Sequence, residues 1–374
     1  MTEIMRSVSK LLGFIDENRM ELINIAALQL KPLPLKICTL AANVKCAKLQ
    51  VANFANIADG VSYVNKSDIE TIFCHKDNIR LANDLLWGCP SVKQVICIDA
   101  DNIMQDAIEK SELMYKKLWN YLAVNAKDDR QGGAWFSSYT GETFTLEEMD
   151  DFVRNVEIKL APYLGSSKKV LDIGCSSGIT MFALAGKVGK YVGLDMSNVM
   201  IDKNRAKVEV GDISNIELHC LYAHELDILS EDSFDIAIMN SVVQCFDGHM
   251  YFKRVLKMLI EKMSDNGIVF IGDVLDAGKR LEFYHSLDEY RAAHTCIDSV
   301  SNADLTRDLF LAEEFFYDLR FDFNEIKDVQ ISGKHFTIEN ELTRYRYDVV
   351  IVLDKKHTNV LDAPRLKRCF ACIV

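Results

Sequence analysis

Three groups of residues in this sequence could do chemistry. The first is the pattern Asp172-x-Gly174-x-x-x-Gly178, followed downstream by Asp195. Glycines between a strand and a helix let a ligand approach the backbone closely and lie near a helix N-terminus. An acid at the tip of the next strand can accept two hydrogen bonds from a ribose diol. The second is His249, in the run QCFDGH, an imidazole whose ordinary pKa of about 6.5 suits proton abstraction near neutral pH. The third is a set of carboxylates, Asp273 and Glu341 foremost, with Asp276 and Glu339 beside them, any of which could orient an imidazole.

The glycine turn departs from the dinucleotide fingerprint GxGxxG, because Cys175 and Ser176 occupy places where that turn wants its small residues. Asp172 stands just before the turn, where a carboxylate repels a pyrophosphate and suits a cation. S-adenosylmethionine meets those terms, having a sulfonium, an amino group, a ribose diol and no phosphate.

The elements that must position these residues alternate along the chain. Apolar runs at 169–173, 190–195, 216–221, 234–240 and 267–273 read as strands, with helical spacing between them, at 199–208 and 249–263 among others. Alternating strands and helices imply a parallel sheet covered on both faces. Carboxyl ends of parallel strands converge on one rim, which would bring Asp195, Asn240 and Asp273 together. Segments 328–332 and 344–353 read as an antiparallel pair at the sheet edge, and 277–325 as a helical insertion. Glu339 and Glu341 are read in an extended segment, on one face of it. Thr145 and Glu148 spell a capping box opening a helix to about Leu160. Before it lies KDDRQGGAWFSSYTGETFT, long, polar and bearing Trp135, Phe136 and Tyr139, the character of a lid. Residues 107–124 read as a linking helix. Residues 1–60 read as mostly helical, at 7–30 and 41–58, and 69–99 as a β-α-β unit without a phosphate-binding glycine. The boundaries drawn are 1–105 for an N-terminal α/β extension, 106–160 for lid and linker, and 161–374 for the core.

LDIGCSSG and GLDMS resemble the first two motifs of class I S-adenosylmethionine-dependent methyltransferases, and FDIAIMNSVVQCF and NGIVFIGDV resemble the fourth and fifth strands of that family. WFSSYTGE, NSVVQCF and IENELTRYRYDVV, in that order, are similar to the methyltransferase domains embedded in polyketide and non-ribosomal peptide synthases. The resemblance covers about residues 111–353. It implies a Rossmann-like seven-stranded, mostly parallel sheet. It also implies that Gly174, Cys175 and Gly178 pass the methionine part with Asp172 near its ammonium, and that Asp195 and Met196 meet the ribose. Ala223, His224 and Glu225 would flank the adenine, Asn240 and Ser241 would line the sulfonium side, and Ser138 and Tyr139 would close the pocket from the lid. The same resemblance leans the acceptor chemistry toward oxygen, with His249 as base and Asp273 or Glu341 holding its ring. The segment 69–99 also resembles a stretch of acyl-adenylate-forming enzymes, which would make the N-terminal extension a remnant of one.

Composition narrows the partners. The chain has 374 residues, 26% charged and 49% hydrophobic, with a net charge of −12. That balance disfavours non-specific binding to nucleic acid or acidic membranes. Eleven cysteines, with one isolated Cys369-x-x-Cys372 and no second such pair, point to reduced thiols in a cytoplasmic protein and to no metal. No signal peptide, bilayer-spanning run or prenylation motif is read. The expected acceptor is a free small molecule or one carried on a carrier protein, a polyketide- or peptide-like intermediate, and the N-terminal extension is a candidate homodimer contact. Two other readings stay open: an N- or C-methyltransferase of the same fold, and a catalytically silent binding module.

Overall fold

A computed structural model describes residues 2–54, 57–98, 112–231, 233–294, 308–357 and 364–372. The chain forms two compact units. One gathers 1–110, 247–253 and 363–374, and the other 111–246 and 254–362.

The first unit is a parallel α/β layer. Its strands are β1 (Asn24–Leu28), β2 (Lys48–Ala52), β3 (Thr71–His75) and β4 (Gln94–Ile98), with helices α1 (Thr2–Glu17), α2 (Pro32–Val44), α3 (Ile57–Ser67) and α4 (Ile79–Gly88). A last strand, Arg368–Cys372, comes from beyond the second unit in sequence and pairs in parallel with β4. The sheet order is β2-β1-β3-β4 and then this late strand. Leu11, Ile15, Ile25, Cys38, Phe73 and Ile96 are fully buried in its core.

Two expectations are corrected here. Residues 24–28 and 48–52, read within helices, are strands. Both are short and alanine-bearing, so local propensity favoured helix, and pairing of β1 with both β2 and β3 decided otherwise. The β-α-β reading of 69–99 agrees with β3, α4 and β4. Of the expected linking helix 107–124, residues 107–111 lie outside the described residues; Glu112–Met114 form a 3-10 turn and Lys116–Asn125 an α-helix.

The second unit carries the strands β5 (Gly165–Ile173), β6 (Val188–Asp195), β7 (Ile216–Cys220), β8 (Phe234–Asn240), β9 (Met263–Leu275), β10 (Ile326–Ser332) and β11 (Arg346–Leu353). The sheet order is β10-β11-β9-β8-β5-β6-β7. β11 runs antiparallel to both of its neighbours and the remaining pairs are parallel. The central strands are mainly apolar in their buried halves, where both faces are covered; Val170, Tyr191, Ile236 and Phe270 share one core with Met181 and Leu184. The order reverses between β5 and β8, and an open α/β sheet leaves a crevice at the carboxyl ends there.

The helices of this unit are α5 (Lys116–Asn125), α6 (Asp129–Gly132), α7 (Leu146–Leu160), α8 (Ile179–Ala185), α9 (Asn198–Val210), α10 (His249–Lys262), α11 (Arg280–Ala293), α12 (Glu313–Asp318) and α13 (Glu341–Arg344). The first turn of α10 groups with the first unit. The capping box of α7 is formed: Glu148 N–H donates to Thr145 Oγ1 at 3.2 Å, and Thr145 N–H donates to Glu148 Oε2 at 2.8 Å. The segment 339–341, read as extended, instead opens α13. Asn340 caps it by accepting from Leu342 N–H at 2.9 Å, which breaks the alternation assumed for Glu339 and Glu341.

Candidate active site

β5 ends in a turn that the sequence forces into left-handed backbone. Gly174 has φ +77°, and a Cβ there would sit 2.5 Å from Val242 Cγ2. Gly178 has φ +85° and starts α8. Ser176 also stands at φ +49°, although it carries a side chain. Its cost, on the order of 1 kcal/mol, is offset by neighbours that hold every part of the turn. Gly174 and Cys175 N–H both donate to Leu194 O, at 2.7 and 2.8 Å. Asn204 Nδ2 donates to Ser176 O at 2.7 Å, and Lys207 Nζ to Ser177 O at 3.0 Å.

Asp195, at the end of β6, faces this turn. It accepts Ser176 N–H on Oδ2 at 3.0 Å and Ser197 N–H on Oδ1 at 2.7 Å. Burial pushes its pKa up to about 6, against the pull of the two N–H groups. Asp172 is buried at 3% exposure and accepts from Tyr191 O–H at 2.9 Å. Burial raises it to about 7, with the Asp195 charge adding to the effect and the Tyr191 hydroxyl opposing it.

A cavity opens over the turn. Gly174, Asp195, Met196, Ala223, Asn240 and Ser241 are on its wall, six of the residues the sequence singled out. Asp172, Cys175 and Gly178 lie behind that wall, and His224 and Glu225 lie off it. Ser138 and Tyr139 are also off it: Tyr139 borders a separate polar cavity, with its hydroxyl 2.7 Å from Ser286 Oγ. Wall residues that sequence reasoning passed over include Trp119, Trp135, Tyr222 and Phe246. Trp135 was visible as an aromatic in the lid stretch. Trp119 gave no signal, because α5 looks like any linking helix until it is packed.

The wall suits the ligand inferred from the turn. Among the described residues lining the cavity there is no lysine or arginine, so a pyrophosphate would find no counter-ion, and the acid there, Asp195, would repel it. Asp195 would hold the ribose diol, and the wall's aromatic side chains offer surfaces for the adenine. S-adenosylmethionine, when bound, supplies an electrophilic methyl group on sulfur.

The three expected catalytic residues are not brought together. His249 is fully buried in the first turn of α10, its Nδ1 3.9 Å from Asp84 Oδ1, and it is not on the cavity wall. Asp273, at the end of β9 with φ +64°, belongs to a buried charge network. Its carboxylate pairs with Arg346 and, at 3.1 Å, with Lys334 Nζ, which also reaches Asp348 at 3.0 Å. Asn155 Nδ2 donates to Asp348 at 2.8 Å. Burial would raise the Asp273 carboxyl, but Arg346 and Lys334 outweigh it and hold the pKa low. Ser241, on the cavity wall, adds a smaller lowering effect. Glu341 accepts Ser138 N–H on both oxygens, at 3.1 and 3.0 Å, and Ser138 O–H at 2.9 Å. Burial raises its pKa. No cluster able to hold a metal occurs among the described residues.

Residues 164–304 match the family described as "Methyltransferase domain". CymA of Salinispora arenicola (strain CNS-205), described as a probable nonribosomal peptide synthetase, is 31% identical over 247 residues, 66% of this chain and 3% of that protein. Chondramide synthase cmdD of Chondromyces crocatus is 28% identical over 224 residues, 58% of this chain and 6% of that protein. The chain thus spans a small fraction of the length of these relatives. Among solved structures, phosphoethanolamine N-methyltransferase 1 of Haemonchus contortus aligns at a TM-score of 0.46 and 14% identity, covering 66% of this chain and 50% of that one. Residues 164–304 therefore carry a methyltransferase domain, a match with which the glycine turn, the acid ending β6 and the sheet order agree.

Proposed function

We propose that the chain methylates an amine nitrogen of an amino-acid- or peptide-like acceptor, free or held on a carrier protein. The observation that carries this reading is the make-up of the wall beyond Asp195. There Asn240, Ser241, Val242, Cys245 and Phe246 are present, and no histidine lines the cavity among the described residues. A hydroxyl must lose its proton as it attacks, which calls for a base within reach. An unprotonated amine attacks with its own lone pair, so it needs orientation more than a base. The nitrogen approaches the methyl group in line with the departing sulfur, the C–N bond forms as the S–C bond breaks, and the ammonium product then releases a proton to solvent. Similarity to regions of nonribosomal peptide synthetases supports a peptide-like acceptor.

The competing reading is transfer to oxygen with His249 as base and Asp273 or Glu341 as its partner. It would require His249 to leave its buried position. A panel of matched thioesters tests the two, each pair differing only in an α-amino or α-hydroxy group, with methyl transfer followed by mass spectrometry. Transfer to the amino members alone supports the proposal. Transfer to the hydroxy members that His249→Gln abolishes supports the rival.

A further inference from the structure

Lys116 opens α5, the helix that presents Trp119 to the cavity. Cys220 closes β7, directly before the wall residues Leu221, Tyr222 and Ala223. Lys116 Nζ donates to Cys220 Sγ at 3.0 Å, and Cys220 Sγ lies 3.5 Å from the carbonyl oxygen of Met196, another wall residue. Both side chains are partly exposed. The pair therefore spans two sides of the cofactor cavity at a point solvent can reach. The Lys116 nitrogen is thus held within reach of a sulfur that is itself open to peroxides. Cys175, by contrast, is buried behind the glycine turn, where burial holds its thiol protonated.

We propose that Lys116 and Cys220 form a redox-sensitive covalent site that locks α5 to the end of β7. In the first step the Cys220 thiolate attacks hydrogen peroxide. An S–O bond forms, the O–O bond breaks and hydroxide leaves, so sulfur is oxidised to sulfenic acid and the peroxide is reduced. In the second step the Lys116 ammonium gives a proton to the hydroxide released in the first, and the resulting amine attacks that sulfur. An S–N bond forms, the S–O bond breaks, and the departing hydroxide leaves as water with one amine proton. The proximity of the two groups favours this step over escape of the sulfenic acid. A dithiol reverses the bridge by reducing sulfur and becoming a disulfide. The bridge fixes two walls of the cavity relative to each other, so it slows exchange of the nucleoside. This last consequence rests on the S-adenosylmethionine site assigned above.

The test treats the full chain with dilute hydrogen peroxide and maps its peptides by mass spectrometry. The expected product joins the peptides bearing Lys116 and Cys220, with the loss of two hydrogen atoms, and dithiothreitol reverses it. Lys116→Arg keeps the cation but cannot close the bridge, so it leaves a sulfenic acid on Cys220 that dimedone traps, and Cys220→Ser gives neither product. The bridged chain releases S-adenosylhomocysteine at least about fivefold more slowly. Wild-type chain left unbridged, with Cys220 no more reactive than the exposed Cys46, overturns the proposal. So does a bridged chain that releases the nucleoside at the unmodified rate. Failure of the cofactor reading itself would be visible separately, as no S-adenosylhomocysteine binding before oxidation.

Discussion

Glu341 holds Ser138 by three hydrogen bonds, two from the backbone N–H and one from the hydroxyl, although the two residues are distant in sequence. Ser138 belongs to the same loop that places Gly133 and Trp135 on the cavity wall. The relationship makes Glu341 a latch for that loop. Glu341→Ala is expected to weaken S-adenosylhomocysteine binding by about tenfold or more, since hydrogen bonds to a charged group contribute about 1.5–3 kcal/mol. Limited proteolysis within 137–145 should rise in parallel. Unchanged affinity with unchanged proteolysis would remove the latch from the account.

The acids under the turn set a pH dependence. Asp172 is raised from 3.8 to about 7 and Asp195 to about 6, chiefly by burial. A carboxyl raised by folding favours the native state while protonated. Its stabilising contribution is therefore complete below about pH 4 and is lost as pH rises through 6 and 7. The ligand-free protein is expected to lose a few kcal/mol of stability from these groups across that window. Affinity for the cationic cofactor should move the other way, rising with pH as the carboxylates ionise. Asp172→Asn should flatten both profiles, measured by chemical denaturation and by calorimetric titration at several pH values. A profile of the same slope in the variant would exclude Asp172 as its source.

Gly272 packs against Asn240. A Cβ at 272 would lie 2.2 Å from Asn240 Oδ1 and 2.6 Å from the Phe270 ring. Gly272→Ala should therefore cost about 1–3 kcal/mol by overpacking and push Asn240 out of line on the cavity wall. Melting temperature and cofactor affinity should fall together. A variant as stable and as tight as wild type would show that the strand end absorbs a methyl group.

The charge network around Asp273 should behave as a unit. Lys334→Met leaves Asp273 and Asp348 without one shared cation, and breaking a buried pair in this way costs about 3–5 kcal/mol. Lys334→Met combined with Asp348→Asn should recover part of the loss. A double-mutant cycle in denaturant measures the coupling, and strict additivity would contradict a single network.

The core was legible in the sequence because its central strands are buried on both faces and read as apolar runs, and because glycine turns and capping boxes are local. β1 and β2 were not, since five-residue strands such as NIAAL and KLQVA carry no periodic signal and exist through pairing with their neighbours. The late strand Arg368–Cys372 was missed for the same reason: its partner β4 lies on the far side of the whole core in sequence. His249 follows the carboxyl end of β8 closely, which made it a candidate base. The start of α10 instead turns its ring into buried contact near Asp84, a neighbour no local pattern reveals. The aromatic wall residues Trp119 and Tyr222 became recognisable only once their elements were placed around the turn.

The central claim is that the cavity over the Gly174 turn is the S-adenosylmethionine site, with Asp195 on the ribose. Calorimetric titration of wild type and Asp195→Ala with S-adenosylhomocysteine and with NAD tests it most directly. The expected result is one S-adenosylhomocysteine site in wild type, no NAD binding, and a loss of about tenfold or more in the variant with its circular dichroism unchanged. Binding of NAD to the wild type, or equal S-adenosylhomocysteine affinity in a folded Asp195→Ala, would contradict the account.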